Sequence, residues 1–262
     1  MKNLAINGGP KTVGRDFDWP LYDETDIKSV ADIVRSGNWG NPDCGGEVAI
    51  FEKEFAAFCG TKYALTCVNG SVALRLALIA CGVKPGDEVI VPPYTFIATA
   101  SIVIEANCVP VFVDIDPRTY NLDASKIEAA ITPRTKAIIP VHFAGMACEM
   151  DQIISIAKNH GLRVIEDACH GHGAEYKGKK LGSIGDAGCF SFQSSKNLTS
   201  GEGGIVVTND DGLYQMMNSL RNVGRVEGGA WYEHHIAGCN YRITQLQAVL
   251  LSSQLKRLEG QT

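Results

Sequence analysis

Four short stretches of this chain carry side chains able to do chemistry together. In GCFSFQSSKNLTSGEGG (188–204), Lys196 sits between an aromatic-rich apolar run and a glycine-rich turn. A lysine amine in a desolvated, cation-rich setting loses its proton readily and condenses with aldehydes. Ser191 lies on the strand-like run before it, within reach of a phosphate. Gly201, Gly203 and Gly204 let the backbone turn tightly beside the lysine. Taken alone, the same stretch also suits an exposed turn lysine. Asp167 closes the run VIED. A carboxylate at the carboxyl edge of a parallel strand faces the ligand crevice, where it can hold a proton on a heterocyclic nitrogen. Its plainer role is to cap the next segment. Asn69, Gly70 and Ser71 follow a strand-like run and open a helical one. Free N–H groups there receive a phosphate, or Asn69 or Ser71 acts as an ordinary N-cap. Tyr94–Phe96 adds aromatic faces.

Jointly the four stretches fit one cofactor, pyridoxal 5′-phosphate. It needs a phosphate cradle, an acid for its pyridine nitrogen, an aromatic face over its ring and a lysine for a Schiff base. Cys169, His170 and His172 raise the question of a metal. No second cluster has ligand-like spacing, so none is expected.

These residues must be held by elements that bring them to one place. YALTCV (63–68) reads as a strand and GSVALRLALIACG (70–82) as a helix ended by glycine. The alternation continues with strands at 87–92, 109–116, 135–142 and 162–167. Helices are expected at 95–107, 123–131 and 149–161. Two further strand-like runs, CFSF (189–192) and GGIVVTND (203–210), lie close together. Near-continuous apolar strands alternating with helices predict a mostly parallel sheet covered on both faces. Ligands of such sheets sit outside the carboxyl ends of the strands, where all four stretches fall. Before residue 46 the pattern predicts one helix (24–36) and a Gly/Pro/Asn-rich segment (36–47) that loops over a surface or a site. Residues 241–262 read as a helix without a stop signal. The expected organisation is an N-terminal segment (1–45), a large domain (46–240) and the start of a linking helix (241–262).

The chain has 262 residues and a formal net charge of −5, with no cluster of basic residues. That gives no reason to expect nucleic acid or an anionic membrane. No apolar run approaches the ~20 residues of a membrane span, and the N-terminus lacks a signal-peptide core. Nine cysteines are scattered without a CxxC pair, several in apolar runs (Cys59, Cys67, Cys81, Cys108). They read as reduced core cysteines of a cytoplasmic protein.

Longer motifs carry a resemblance. VPPYTFIATA, VPVFVDID, AIIPVHFAGMACEMD, VIEDACHGHGA, FSFQSSKNLTSGEGG and GCNYRITQLQAV occur in order, with LAINGGP at the start. Over nearly all of residues 4–258 the chain resembles the sugar aminotransferases of the DegT/DnrJ/EryC1/StrS family. These are fold-type I enzymes related to aspartate aminotransferase, with a mostly parallel seven-stranded α/β sheet. The resemblance implies that Lys196 forms the Schiff base with pyridoxal 5′-phosphate and that Asp167 binds the pyridinium nitrogen. It places His170 on the phenolic-oxygen side of the ring, Phe96 in a stack on the ring, and Gly70, Ser71 and Ser191 on the phosphate. Asn240 and Arg242 fall where the family sends a residue into the neighbouring subunit's phosphate site, which implies a homodimer with shared active sites. The implied reaction moves an amino group from L-glutamate or L-glutamine to a nucleotide-linked keto sugar or a keto cyclitol.

Two departures qualify this. Members of the family run on into a small C-terminal α/β domain, whereas here the sequence stops in the linking helix. A truncated, non-catalytic cofactor-binding remnant or regulatory protein is therefore the second reading. Gln193 after FSF, with the GEGG turn, looks closer to members acting on scyllo-inosose or making aminohydroxybenzoate. Related dehydratases replace the Schiff-base lysine, so Lys196 argues against them. A nicotinamide oxidoreductase is disfavoured because the first strand–helix turn, CVNGSVA, lacks GxGxxG. The loops at 36–47 and 224–238, including WYEHH (231–235), are the places where an acceptor would be chosen.

Overall fold

The computed structural model describes residues 4–12 and 19–261. Two helices come first, α1 (Glu24–Ser36) and α2 (Glu47–Cys59). Strands and helices then alternate: β1 (Tyr63–Cys67), α3 (Gly70–Ala80), β2 (Glu88–Val91), α4 (Ala98–Glu105), β3 (Val109–Phe112), β4 (Thr135–Ile138), α5 (Met150–His160) and β5 (Arg163–Asp167). A small hairpin, β6 (Glu175–Tyr176) and β7 (Lys179–Lys180), leads to β8 (Ala187–Ser191) and β9 (Gly204–Thr208). Helices α6 (Asp211–Arg221) and α7 (Gln245–Gln261) follow.

Seven strands form one sheet in the order β1-β9-β8-β5-β4-β2-β3. Strand β9 runs antiparallel to both its neighbours, and the other four pairings are parallel. The expected mostly parallel seven-stranded α/β sheet is therefore present. Alternate strand residues bury on opposite faces. Leu65, Val91, Ile165, Cys189 and Val206 pack with the apolar sides of α3, α4 and α6. Ala64, Phe190 and Val207 meet α2 and α7, and Ile90, Ile138 and Val164 meet α5. On β5 this alternation sends Asp167 to the α3/α4 face and Glu166 to the opposite one.

Local chemistry sets the element ends. Asp23 and Asp26 form a reciprocal capping box at the start of α1, and Gly37 ends it in the left-handed conformation. The single helix expected over 123–131 is instead two short 3₁₀ turns, Ala124–Lys126 and Glu128–Ala130. The Asp123 carboxylate takes both the N–H and the hydroxyl of Ser125, which tightens the first turn. The closing helix starts at Gln245 rather than 241. Thr244 and Gln247 exchange hydrogen bonds there as a capping box, a signal present in the sequence as TQLQ. Helices α2 and α6 and the β6–β7 hairpin were not among the expected elements. Of the four cysteines expected in the core, Cys59, Cys67 and Cys108 are buried and Cys81 is half-buried; all nine thiols are free. Helix α7 packs along α1 and α2. Its Gln245 bridges to the loop before α2, accepting from the Val48 N–H (3.2 Å) and donating to the Gly45 carbonyl (2.9 Å).

Candidate active site

A cleft of about 580 Å³ opens at the carboxyl ends of β1, β5 and β8 and the amino ends of α3 and α4. That is within the range usual for small-molecule sites. Gly70, Ser71, Phe96, Asp167, His170, Ser191 and Lys196 all line it. Seven of the nine expected site residues thus meet in one place.

Asp167 is buried at the end of β5. Its Oδ2 accepts from the Thr99 hydroxyl (2.8 Å) and its Oδ1 from the Cys169 N–H (3.2 Å). Thr99 in turn contacts the Thr95 hydroxyl (2.9 Å). These bonds aim the carboxylate and leave acceptor capacity facing the cleft. Thr99 was not anticipated. Its signal was present, since Thr95 and Thr99 are four apart across the start of α4, a spacing that stacks them on one helix face.

Lys196 lies on the loop between β8 and β9. It is half-buried at the cleft wall rather than enclosed. Among the described residues, its amine has no hydrogen bond or ion pair. The loop itself is fixed. Gln193 Oε1 accepts from the Ser195 N–H (2.9 Å) and hydroxyl (2.7 Å), and the Lys196 N–H donates to the Gln193 carbonyl (2.9 Å). From α7, the Gln254 amide accepts from the Thr199 N–H (3.1 Å) and donates to its carbonyl (2.7 Å). The Trp19 indole N–H donates to the Ser194 carbonyl (2.8 Å).

At the other end of the cleft, Asn69 caps α3 by accepting from the Val72 N–H (2.9 Å). The Gly70 and Ser71 N–H groups belong to the first turn, which the helix cannot satisfy. A Cβ on Gly70 would stand 2.8 Å from Ser191 Cβ. A Cβ on Gly204 would stand 2.4 Å from the Asn69 carbonyl. Glycine at both positions lets β8 and β9 close against the turn and puts the Ser191 hydroxyl beside the α3 amino end.

Burial, with the Lys196 charge adding to it, holds His170 below the usual imidazole range. Its Nδ1 accepts from the Ala144 N–H (3.2 Å), so in the neutral ring Nε2 carries the proton. His172 lies outside the cleft lining, packed against the Phe190 and Phe192 rings (centroids 5.4 and 5.8 Å). Burial, then the Lys196 charge, pushes it down to about 3. The Ser191 backbone favours its protonation slightly, but neither ring nitrogen has a hydrogen bond of good geometry among the described residues. Burial, reinforced by Asp167, raises the Cys169 thiol well above its ordinary value. Among the described residues no three His, Cys, Asp or Glu side chains are grouped to hold a metal, and no helix is long and apolar enough to cross a membrane.

Asn240 and Arg242 do not join the cleft of their own chain. Asn240 is exposed and bridges to Asn222, whose side chain accepts from the Arg242 guanidinium (2.7 Å). The WYEHH loop also stays off the cleft lining. Arg225 lies over the Trp231 ring (3.8 Å), and His234 contacts the Val223 carbonyl (2.8 Å).

The model of the DegT/DnrJ/EryC1/StrS aminotransferase family matches residues 20–262. The chain is 52% identical over 252 residues to the GDP-perosamine synthase of Caulobacter vibrioides, covering 95% of this chain and 64% of that protein. It is 42% identical over 245 residues to the 3-amino-5-hydroxybenzoate synthase of Amycolatopsis mediterranei, covering 93% and 63%. Among solved structures, an aminotransferase from Psychrobacter cryohalolentis superposes with a TM-score of 0.89 at 40% identity, over 93% of this chain and 64% of that one. The chain thus spans a little under two thirds of the length of these relatives.

Proposed function

The chain belongs to the DegT/DnrJ/EryC1/StrS aminotransferase family, and from that premise we propose that it transfers an amino group from L-glutamate or L-glutamine to a keto sugar or keto cyclitol. The observation that carries the reading is one cleft holding a lysine amine with no hydrogen bond or ion pair among the described residues, a buried carboxylate facing the cleft and a helix amino end.

Members of this family depend on pyridoxal 5′-phosphate, and the residues present fit that group. The Gly70 and Ser71 N–H groups, with the Ser71 and Ser191 hydroxyls, would hold the phosphate at the α3 amino end. Phe96 would cover one face of the ring. Asp167 would accept from the protonated ring nitrogen, and His170 Nε2–H would donate to the phenolic oxygen. Lys196 would bind the carbonyl carbon. When bound, the cofactor supplies a conjugated ring that accepts the electrons of an amino acid's α-carbon.

The chain's own residues do the rest. Once free, the Lys196 amine would serve as the general base for the proton of the donor's α-carbon and as the acid that delivers it to the cofactor's C4′ carbon, on the far side of the shared nitrogen. Asp167 keeps the ring nitrogen protonated through a charge-assisted hydrogen bond. The Gln193 and Gln254 bonds keep the lysine loop from drifting while the amine is free. We assign one of Asn240 and Arg242, neither of which lines the cleft of its own chain, to the phosphate site of a second copy in a homodimer with shared sites. With nine free thiols, the cytoplasm is the compartment we assign.

Absorption spectroscopy tests the reading. Purified protein with pyridoxal 5′-phosphate should develop a visible band that Lys196→Ala lacks and that bleaches on adding L-glutamine or L-glutamate. A Lys196-dependent band that neither donor bleaches would favour a protein that binds the cofactor without transamination.

A further inference from the structure

The segment that bears Lys196 is a closed arch. Its neck lies just past the end of β8 and just before β9, where the Phe192 N–H donates to the Gly203 carbonyl (2.8 Å). Thr199, 2% exposed, staples both sides of the arch. Its hydroxyl donates to the Phe192 carbonyl (2.9 Å) and accepts from the Gly201 N–H (3.0 Å), so its proton and a lone pair are both used. The Ser200 N–H reaches the same Phe192 carbonyl (3.1 Å). Leu198 is fully buried in the apolar cluster that α2 and α7 share, which sinks the far side of the arch. Gln193, Ser195, Lys196 and Glu202 remain on the cleft wall.

The arch is held from outside the cleft. Gln254 on α7, 6% exposed, pairs with both backbone groups of Thr199. Gln247, on the same helix, donates to the Glu202 carbonyl (2.7 Å). Among the described residues none of α7 lines the cleft. The Lys196 amine has no hydrogen bond or ion pair among them, so no polar contact at the tip of its flexible stem fixes where it sits. Its place is set from the other end, by a backbone anchored three residues away at Thr199.

We propose that Thr199 and Gln254 are positioning residues for the Lys196 amine. Gln254 fixes Thr199, Thr199 fixes both sides of the arch, and the arch sets how far the amine reaches into the cleft. This rests on the aminotransferase reading, in which the amine must meet first the cofactor's carbonyl carbon and then a proton on carbon. Such chemistry tolerates little error, since a misplacement of about 1 Å costs about 100-fold in rate. The plainer alternative is that both side chains only satisfy buried backbone groups and hold the fold together. That alternative predicts a loss of overall stability and nothing specific to the lysine.

Three variants separate the two. Thr199→Val keeps the shape and deletes the staple, Thr199→Ser retains the hydroxyl, and Gln254→Met deletes the bonds from α7. Hydrogen exchange of the cofactor-free protein is read first. The Ser195 and Lys196 amides, both hydrogen-bonded within the loop, should exchange at least about tenfold faster in Thr199→Val and Gln254→Met, with the β5 amides unchanged. Pyridoxal 5′-phosphate is then added. The Lys196-dependent visible band should form, and should bleach with saturating L-glutamate or L-glutamine, about 10- to 100-fold more slowly in those two variants. The donor concentration for half-maximal bleaching should stay within about twofold, and Thr199→Ser should follow the unsubstituted protein. Loop exchange that is unchanged, or accelerated equally throughout the molecule, overturns the proposal. So does an unchanged rate of band formation while the loop exchanges faster, or a Thr199→Ser variant as slow as Thr199→Val. Band formation does not require transamination, so the two readings fail separately. A band that forms fast in the unsubstituted protein, slowly in the two variants, and bleaches in none counts against transamination alone.

Discussion

Glu166 and Asp167 are adjacent acids on one strand, and the structure treats them in opposite ways. The Glu166 carboxylate is saturated. It accepts from the N–H groups of Gly182 (2.9 Å), Ile184 (2.7 Å) and Gly185 (2.7 Å) and meets His142 Nε2 at 2.9 Å. His142 Nδ1 accepts from the Cys148 N–H (3.2 Å), so Nε2 is the donor to Glu166. Asp167 receives the Thr99 hydroxyl and the Cys169 N–H, with the Cys169 thiol beside it, and faces the cleft. The cations repeat the contrast. Arg221 is buried with Glu52, the Thr66 carbonyl (2.9 Å) and Asn218 (3.1 Å), while the Lys196 amine has no hydrogen bond or ion pair among the described residues. Buried polar groups that are fully paired hold a fold together. Those held in place yet left short of partners are ready for a ligand.

Lys196→Ala breaks the open half of the contrast most severely. Loss of both the covalent anchor and the base should lower turnover at least about 10⁴-fold. The denaturant midpoint should stay close to where it is, because among the described residues the amine has no hydrogen bond or ion pair to lose. Measurable turnover in that variant would end the assignment, and a large drop in stability would show that Lys196 belongs with the sealed groups.

This contrast explains what the sequence could and could not reveal. The strand–helix alternation and the end-of-strand positions of Asp167, Ser191 and Lys196 depend on short-range pattern, and they were legible. The sealed pairs were not. Glu52 and Arg221 are 169 positions apart, and nothing local marks either as buried. Glu166 stands beside Asp167 in VIED, and only the alternation of the strand separates the two faces they serve. Residues 123–131 read as a helix because the apolar spacing fits one, and the short Asp123–Ser125 contacts overrode it. Asn240 and Arg242 entered through resemblance alone, and their own chain gives them no place in the cleft.

Glu166→Ala and Asp167→Asn sharpen the comparison by exchanging effects. Removing Glu166 strands three N–H groups and a buried imidazole, which should cost about 3–5 kcal/mol in urea unfolding. Asp167→Asn should leave stability within about 1 kcal/mol while slowing donor bleaching at least about 100-fold. Equal stability losses from the two would erase the distinction between the faces.

His172 tests the border between the regions, since it is buried and neither ring nitrogen has a hydrogen bond of good geometry among the described residues. Its folded value of about 3 lies below the ordinary 6.5, so between those limits the unfolded chain binds the extra proton. Stability from this group is therefore complete above pH 6.5 and falls as pH drops, by about 1.4 kcal/mol per unit, or about 2 kcal/mol at pH 5. His172→Phe should remove that part of the slope when urea midpoints at pH 7.5 and pH 5 are compared. The same slope in both proteins would mean that the ring is protonated or solvated in the folded state.

Thr99→Val makes the smallest change. The hydroxyl has one proton, and at 2.8 Å it is given to Asp167 Oδ2 rather than to the Phe96 carbonyl at 3.3 Å. Valine keeps the shape and deletes that bond, leaving Cys169, through its N–H and its thiol, to hold Asp167 among the described residues. A hydrogen bond to a charged acceptor contributes about 1.5–3 kcal/mol, but a carboxylate bound to the ring nitrogen is already held at its other end. Donor bleaching should therefore slow only several-fold, with the cofactor band shifted as the aspartate turns. A variant as slow as Asp167→Asn would place Thr99 among the groups that act on the cofactor directly, and a variant with an unaltered rate and spectrum would show that the Cys169 contacts suffice to orient the carboxylate.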